Sequence, residues 1–483
     1  MEAFTSASEF EKHVLKKYES KPPVLKHHRV SVDLYHIAHE MIGECKLPYD
    51  PEVIFEGIKE YGHSQYLTIK AEAYFSQGNT LKASELAKAA VLADGFYAPA
   101  HNLLNRIEGK DDKSIQERFI CGLPFTEMQL KTISGKDSMS FCCLQWSPYL
   151  MDPIADKQHD DTWNGSGAKE FRRSIIEGDY KYCNKRLCSV FNNPEYNMIP
   201  RKEVARESRD TSQQVLGNEA RVKRGAELLR TQLKRNEPYQ VDRPRHIFIA
   251  YDEGCNLACP SCRKEIKQVS STQIDKMDEL FENVVRPLLE RGPTILTASG
   301  HGDPLGSRHL RKKLPTLSGE RYADLKIDLQ TNGLLLNQSG WETLRPIEDK
   351  IRAIRVSIDA GEKKTYEVLR FPGNWDVLMD SLEMTKSRKN ELGFKLILNF
   401  CIQECNFREI PSFLKLGERF NADRMNLQHL VNWGTYSAED YKKRNVVDRS
   451  HPDHKEFVDI LTSSKRTCMN LQLSSSLPRL LEN

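Results

Sequence analysis

HIFIAYDEGCNLACPSC, residues 246–262, sets a strand-like apolar run, HIFIAY, just ahead of three cysteines, Cys255, Cys259 and Cys262. Three thiolates are one short of the four that saturate a 4Fe-4S cube. The spacing therefore points to a cluster with one unligated iron, comparable to the open position of a catalytic zinc. A zinc site completed by His246 or His301 is the alternative for the same triad.

Working outward from this stretch, strand-like runs alternate with helical ones. The strands are HIFIAY (246–251), TILTAS (294–299), LKIDLQ (325–330), IRAIRVSI (351–358), KLILNF (395–400) and RMNLQHL (424–430). Between them lie TQIDKMDELFENVVRPLLE, NWDVLMDSLEMTKSRK and REIPSFLKLGERF, with apolar residues at helical spacing. Six such units predict parallel strands joined by crossover helices, an α/β fold. A partial, TIM-like (β/α)6 barrel fits better than a closed one of eight units, because only a short tail follows the sixth strand.

In parallel barrels the functional groups sit on loops after the strand C-termini. The unusual residues of this chain fall there in order. Strand one leads to the three cysteines, strand two to Gly300-His301-Gly302-Asp303-Pro304, and strand three to Thr331-Asn332-Gly333. Strand four ends at Ser357 and Asp359, strand five at Cys401 and Cys405, and strand six at His429, with Trp433 just beyond. Cys401 and Cys405 suit either a hydrogen-atom donor at the barrel mouth or buried core thiols. His429 and Trp433 suit either a substrate pocket or simple packing.

With its CxxxCxxC triad, the segment 245–436 resembles the radical S-adenosylmethionine (SAM) superfamily, especially members carrying SPASM or twitch auxiliary-cluster domains. The resemblance implies that Cys255, Cys259 and Cys262 bind a 4Fe-4S cluster whose open iron is chelated by SAM. Reductive cleavage of SAM would then give a 5'-deoxyadenosyl radical that takes a hydrogen atom from substrate, with chemistry belonging to the cofactor and positioning to the protein. It implies that Gly300, Gly302 and Asp303 meet the SAM amino group, and that Thr331, Asn332, Ser357, Asp359 and Arg370 line the rest of its pocket. Ser261 stands where the family commonly has an aromatic residue, and His301 and Asp303 stand where it has glycine and glutamate.

Upstream, residues 119–193 carry Cys121, Cys142, Cys143, Cys183 and Cys188. CGLPFTEMQL, FCCLQW and WNGSGAKEFRRSIIEGDYKYCNKRLC resemble pieces of a SPASM or twitch region. That implies a second, auxiliary 4Fe-4S cluster on Cys121, Cys183, Cys188 and one of Cys142 and Cys143, while a structural zinc knuckle would use the same ligands. MQLKTISG reads as a strand, and AKEFRRSIIEG as a helix ending at Gly178. Further upstream, KAEAYFSQGNTLKASELAKAAVLADGFYAPAHNLL (70–104) resembles one tetratricopeptide (TPR) helix pair, although any tight helical pair needs similar small residues. The expected organisation is an all-helical TPR-like domain (1–112), a SPASM/twitch-like domain (113–200), a charged helix and linker (201–244) and the barrel (245–483).

Composition bounds the partners. With 71 Lys and Arg against 68 Asp and Glu, the net charge of +3 gives no general pull toward nucleic acid or acidic membranes. The run 201–234 is basic but lacks the aromatic residues of a stacking platform. The N-terminal MEAFTSASEFEKHVLKKYES has no apolar signal core and no stretch is long enough to span a bilayer, so a cytoplasmic protein is expected. Twelve cysteines then speak for metal or catalysis rather than disulfides. The expected substrate is a peptide or protein, or a sugar, nucleotide or other small metabolite, with a flavodoxin- or ferredoxin-type reductase as electron donor. A noncatalytic iron-sulfur scaffold or electron carrier is the remaining alternative.

Overall fold

In the computed structural model, the described residues are 7–19, 33–45, 63–95, 97–110, 114–133, 136–142, 159–192, 194, 198–205, 218–298, 301–474 and 477. The chain divides into two compact units, one of residues 1–129 with 135–244 and the other of 130–134 with 245–483.

The first unit begins with helices α1 (Ala7–Glu19), α2 (Asp33–Cys45), α3 (His63–Ser76), α4 (Thr80–Ala93) and α5 (Ala98–Ile107). Phe10, Val14, Leu34, Ala38 and Met41 pack with Ile69 and Ala73 in one core, and Ala71, Ala87, Leu103 and Leu104 form a second. Asn79 caps α4 by accepting from the Lys82 N–H at 3.1 Å. Buried Glu72 of α3 accepts from the Tyr35 hydroxyl at 2.9 Å and pairs with Arg106 at 2.8 Å, tying α2, α3 and α5 together. Helix α6 (Ser166–Glu177) ends at Gly178, whose φ of 86° is the left-handed cap that glycine supplies without strain.

The second unit is mixed α/β around a parallel sheet. Strands β2 (His246–Ala250), β3 (Ile295–Ala298), β4 (Lys326–Thr331), β5 (Ile351–Ser357), β6 (Lys395–Ile402) and β7 (Arg424–His429) lie side by side in chain order. All five neighbouring pairs are parallel. Strand β1 (Glu127–Ile133) flanks β2. The six expected strands are thus present within a residue or two of their sequence bounds. The tail does more than expected: helix α10 (His454–Thr467) crosses over and returns as β8 (Leu471–Leu473), a seventh parallel strand beside β7. The sheet runs from β8 to β1 and ends, beyond β1, on the short strand Lys136–Ser140.

Crossover helices include α7 (Ser271–Leu280), α8 (Trp375–Leu392) and α9 (Ile410–Arg419). Ser270 starts α7 with a reciprocal capping box on Gln273, and Gly393 ends α8 at φ 76°. Ile327, Leu329, Ile354, Val356, Leu396 and Leu398 are fully buried on one side of the sheet. No helix among the described residues is long and apolar enough to cross a membrane.

Candidate cluster sites and the strand-end loops

The cysteine loop after β2 is held from several sides. Asp252 accepts from the Gly254 N–H at 2.8 Å and from the Ser307 hydroxyl. The Ala258 N–H donates to the Phe371 carbonyl at 2.7 Å, and those of Cys262 and Arg263 donate to the Cys259 carbonyl at 2.8 and 2.9 Å. Each cysteine sulfur then faces a nitrogen donor from elsewhere. Asn332 Nδ2 lies 4.0 Å from Cys255 Sγ, Arg370 Nη1 3.6 Å from Cys259 Sγ, and Arg263 Nη2 3.6 Å from Cys262 Sγ. Burial lifts the Cys255 thiol above its ordinary pKa, a penalty that a bound metal cluster's charge would reverse. Two guanidiniums and an amide suit sulfurs that carry negative charge on a cluster, so the donor set fits that group.

The loop after β3 braces this arrangement. A Cβ on Gly302 would fall 2.3 Å from the Gly254 carbonyl oxygen and 2.8 Å from that of Asp252. Glycine is therefore required by contact with the cysteine loop itself. Asp303 is buried and both its oxygens are engaged. Oδ1 accepts from the Leu305 and Gly306 N–H groups at 3.0 and 3.1 Å, and Oδ2 from the Thr331 hydroxyl and the Asn332 N–H at 2.7 Å each. Burial raises the pKa of this carboxyl while the donated bonds pull against that rise. Its geometry is that of a brace between the loops after β3 and β4, not of a carboxylate with a free edge for an ammonium. Gly300 lies outside the described residues.

Asn332 links the system by donating from Nδ2 to Asn256 Oδ1 at 2.8 Å. Asp359, held at φ 60°, accepts from the Cys401 N–H at 2.7 Å and pairs with Arg370 at 3.1 Å. A continuous line runs from Cys259 through Arg370 and Asp359 to the backbone of Cys401. Cys401 is half-buried, and Cys405 is exposed on the following turn. Ser357 is half-buried and in register with Asn399. Burial lowers the His429 pKa, favouring the neutral ring, and Trp433 is 47% exposed.

Several contributors were not singled out from the sequence: Asp252, Asn256, Arg263 and Tyr436. Arg263 had a legible signal, a cation directly after the third cysteine. The Tyr436 hydroxyl is buried without a hydrogen-bond partner among the described residues, and Arg444 lies 4.8 Å over its ring.

As to zinc, His246 Nε2 is 2.7 Å from Thr297 Oγ1, and its ring packs on Phe248 with centroids 4.0 Å apart. Arg263 donates to the His301 carbonyl. Among the described residues, no three His, Cys, Asp or Glu side chains converge on one point as ligands of a single ion.

In the first unit, Cys121, Cys142, Cys183 and Cys188 line one small cavity, ≈ 20 Å³ of space open to the centre of a water molecule. Phe141, Phe171 and Ile175 complete an almost wholly apolar wall. Burial pushes the Cys121 thiol up to about 12, and Cys183 is raised by burial and then by Cys188, Cys142 and Cys121. Four thiols thus line one cavity, and their neighbours add to the burial that disfavours ionisation of Cys121 and Cys183. Cys143 lies outside the described residues. Asn102 of α5 fixes the ligand loop by donating to the Cys183 carbonyl at 2.9 Å and accepting from the Lys185 N–H at 3.1 Å. Arg172, fully buried on α6, donates to the carbonyls of Pro124, Trp163 and Tyr239 at 2.8, 3.0 and 2.9 Å and lies 5.0 Å from the Phe141 ring.

No family model matches the chain. Fe-coproporphyrin III synthase of Methanosarcina barkeri is 27% identical over 214 residues, 44% of this chain and 49% of that protein. An uncharacterized protein of Archaeoglobus fulgidus is 26% identical over 179 residues, 36% of this chain and 39% of that one. The chain thus spans half or less of the length of these curated relatives. Among solved structures, Streptococcus suis SuiB overlaps 55% of this chain and 56% of its own at TM-score 0.36 and 17% identity. For anSMEcpe with bound AdoMet the figures are 46%, 57%, 0.33 and 16%.

Proposed function

We propose that the second unit is a radical SAM enzyme core, with Cys255, Cys259 and Cys262 holding a 4Fe-4S cluster whose open iron takes SAM. The observation that carries this reading is the cysteine loop at the end of β2, in which each sulfur faces a separate nitrogen donor. When bound, the pair would supply one-electron cleavage of the sulfonium to methionine and a 5'-deoxyadenosyl radical, the electron coming from a flavodoxin- or ferredoxin-type reductase. The chain's own residues hold the loops in place: Asp303 braces the turns after β3 and β4, and Arg370 bridges Cys259 and Asp359. Gly300, Gly302, Thr331, Asn332, Ser357 and Asp359 are proposed to border SAM. Cys401 is the proposed thiol donor at the mouth, with Cys405 beside it.

A second, auxiliary 4Fe-4S cluster is proposed on Cys121, Cys142, Cys183 and Cys188, supported by the cavity they share. The proposed organisation remains a TPR-like helical segment (1–112), a SPASM/twitch-like segment (113–200), a linker region (201–244) and the barrel (245–483).

The proposed substrate is a peptide or protein. Exposed Leu81 and Leu92 lie eleven positions apart on α4, about three turns and hence on one side of the helix, a surface suited to an apolar peptide segment. A small metabolite is the second reading, favoured by similarity to a protein named for the synthesis of Fe-coproporphyrin III.

Electron paramagnetic resonance tests the open iron. SAM should change the signal of the reduced, reconstituted wild-type protein assigned to the Cys255 cluster. A wild-type spectrum indifferent to SAM would overturn the reading.

A further inference from the structure

The two faces of the second unit's sheet differ in a way that a parallel sheet ordinarily does not permit. Such sheets are normally covered on both sides and apolar on both. Here the face toward α8 is apolar and sealed: a Cβ added at Gly333 would touch both Val356 and Leu378 of that helix, and Ile354 and Val356 are fully buried. The opposite face of β4 to β7 carries Gln330, Arg355, Ser357, Asn399 and Asn426. In register, Gln330 stands beside Arg355, and Ser357, Asn399 and Asn426 form one row.

An irregularity shapes this face. Ile327 pairs with Ile351 but Asp328 pairs with Ala353, so Arg352 is an extra residue on β5. Residues three apart on a strand should point to opposite faces, yet Arg352 and Arg355 both reach Asp328, as a bulge allows. Arg352 donates to Asp328 from Nε at 2.8 Å and Nη2 at 2.5 Å, and Arg355 from Nη1 at 2.6 Å. Burial works to raise the Asp328 pKa, but the two guanidiniums hold it below the ordinary carboxylate value. One carboxylate is therefore shared by two guanidiniums. Arg355 is 26% exposed and makes no hydrogen bond among the described residues apart from that to Asp328, so its remaining N–H edge is open.

We propose that Arg355, with Gln330 beside it, is the anchor for a carboxylate group of the substrate. The free fork of a guanidinium matches a carboxylate, and Gln330 adds an amide donor on the neighbouring strand. Arg355 lies two residues before Ser357, and Gln330 two before Asn332, so the anchor is about 7 Å down the strands from the loops that border the cysteines. A substrate held there by its acid group would present its other end at the mouth. The assignment rests on the radical SAM reading for its chemistry, but binding at Arg355 needs neither SAM nor cleavage.

The test is titration of the full-length reconstituted protein with glutarate, its uncharged diamide, inorganic phosphate and the blocked tripeptide Ac-Gly-Glu-Gly-NH2. Glutarate should bind saturably, with a Kd on the order of millimolar. Arg355→Gln should weaken it about tenfold, Arg355→Lys should recover part of the loss, and the diamide should not bind. Tighter binding of the tripeptide would assign the acid to a peptide; tighter binding of glutarate would assign it to a free small acid. Gln330→Leu, which leaves the Asp328 pairing intact, should weaken glutarate about threefold and decides the matter should Arg355→Gln fail to fold. Unchanged glutarate affinity in Gln330→Leu and a folded Arg355→Gln, or phosphate bound more tightly than glutarate, would overturn the proposal. Failure of the radical SAM reading would show separately, as absence of 5'-deoxyadenosine.

Discussion

Arg370 reaches Cys259 and Asp359 at once, donating to the sulfur at 3.6 Å and pairing with the carboxylate at 3.1 Å. Its own pKa, which burial would lower, is held up by Asp359 and then by Cys259. This guanidinium couples the cysteine loop to the turn after β5.

Removing it exposes the cost of burying Asp359. Burial raises the Asp359 pKa and Arg370 pulls it back. A carboxyl whose folded pKa exceeds its unfolded one favours folding at low pH and gives that up as pH rises through the folded value. Arg370→Leu should therefore lose about 3 kcal/mol at neutral pH, with stability falling as pH climbs from about 4 toward 7. Urea unfolding across that range checks the slope, and adding Asp359→Asn should flatten it. A pH-independent loss would contradict this account of the pair.

At the auxiliary site, Cys121→Ala, Cys142→Ala, Cys183→Ala and Cys188→Ala should each remove about four irons and four sulfides per chain after reconstitution. Iron and acid-labile sulfide analysis measures this. One zinc per chain in the wild type, lost in the same variants, would replace the cluster with a structural zinc.

Arg172 is a fully buried cation satisfied by carbonyls, and burial lowers its pKa to about 9. It lies 5.0 Å from the ring of Phe141, which lines the four-cysteine cavity, so its charge would favour the reduced form of a cluster held there. Arg172→Gln should lower that cluster's midpoint potential by tens of millivolts, on the order expected for one nearby charge. Potentiometric titration reads the shift; an unchanged potential would make Arg172 a purely structural clamp.

Gly302→Ala should act on the cysteine loop, because its Cβ would meet backbone that cannot swing aside. A loss of about 1–3 kcal/mol and weaker SAM binding are expected. Thermal unfolding and equilibrium dialysis with labelled SAM measure the two effects.

The strands from His246 to His429 were legible because each apolar run is bounded by turn residues and ends in chemically unusual side chains. The tail was not: LQL is too short to read as a strand, and only pairing with β7 makes Leu471–Leu473 one. Placement on the strand-end loops was more legible than role. GHGDP pointed to a loop that packs on the cysteine loop, but whether Asp303 faces a ligand or the chain depends on four donors from Leu305, Gly306, Thr331 and Asn332, partners that spacing does not reveal. Arg352 was hidden because alternation assigns it to the opposite face from Arg355, and only the bulge brings both to Asp328.

The loop of Cys255, Cys259 and Cys262 is proposed to present an open iron that cleaves SAM. The most direct test of this is 5'-deoxyadenosine formation by the reduced, reconstituted protein mixed with SAM, with Cys255→Ala as the paired variant. The wild type should form 5'-deoxyadenosine and the variant none above background. Equal yields from both, or none from a wild type carrying its full iron complement, would contradict the proposal.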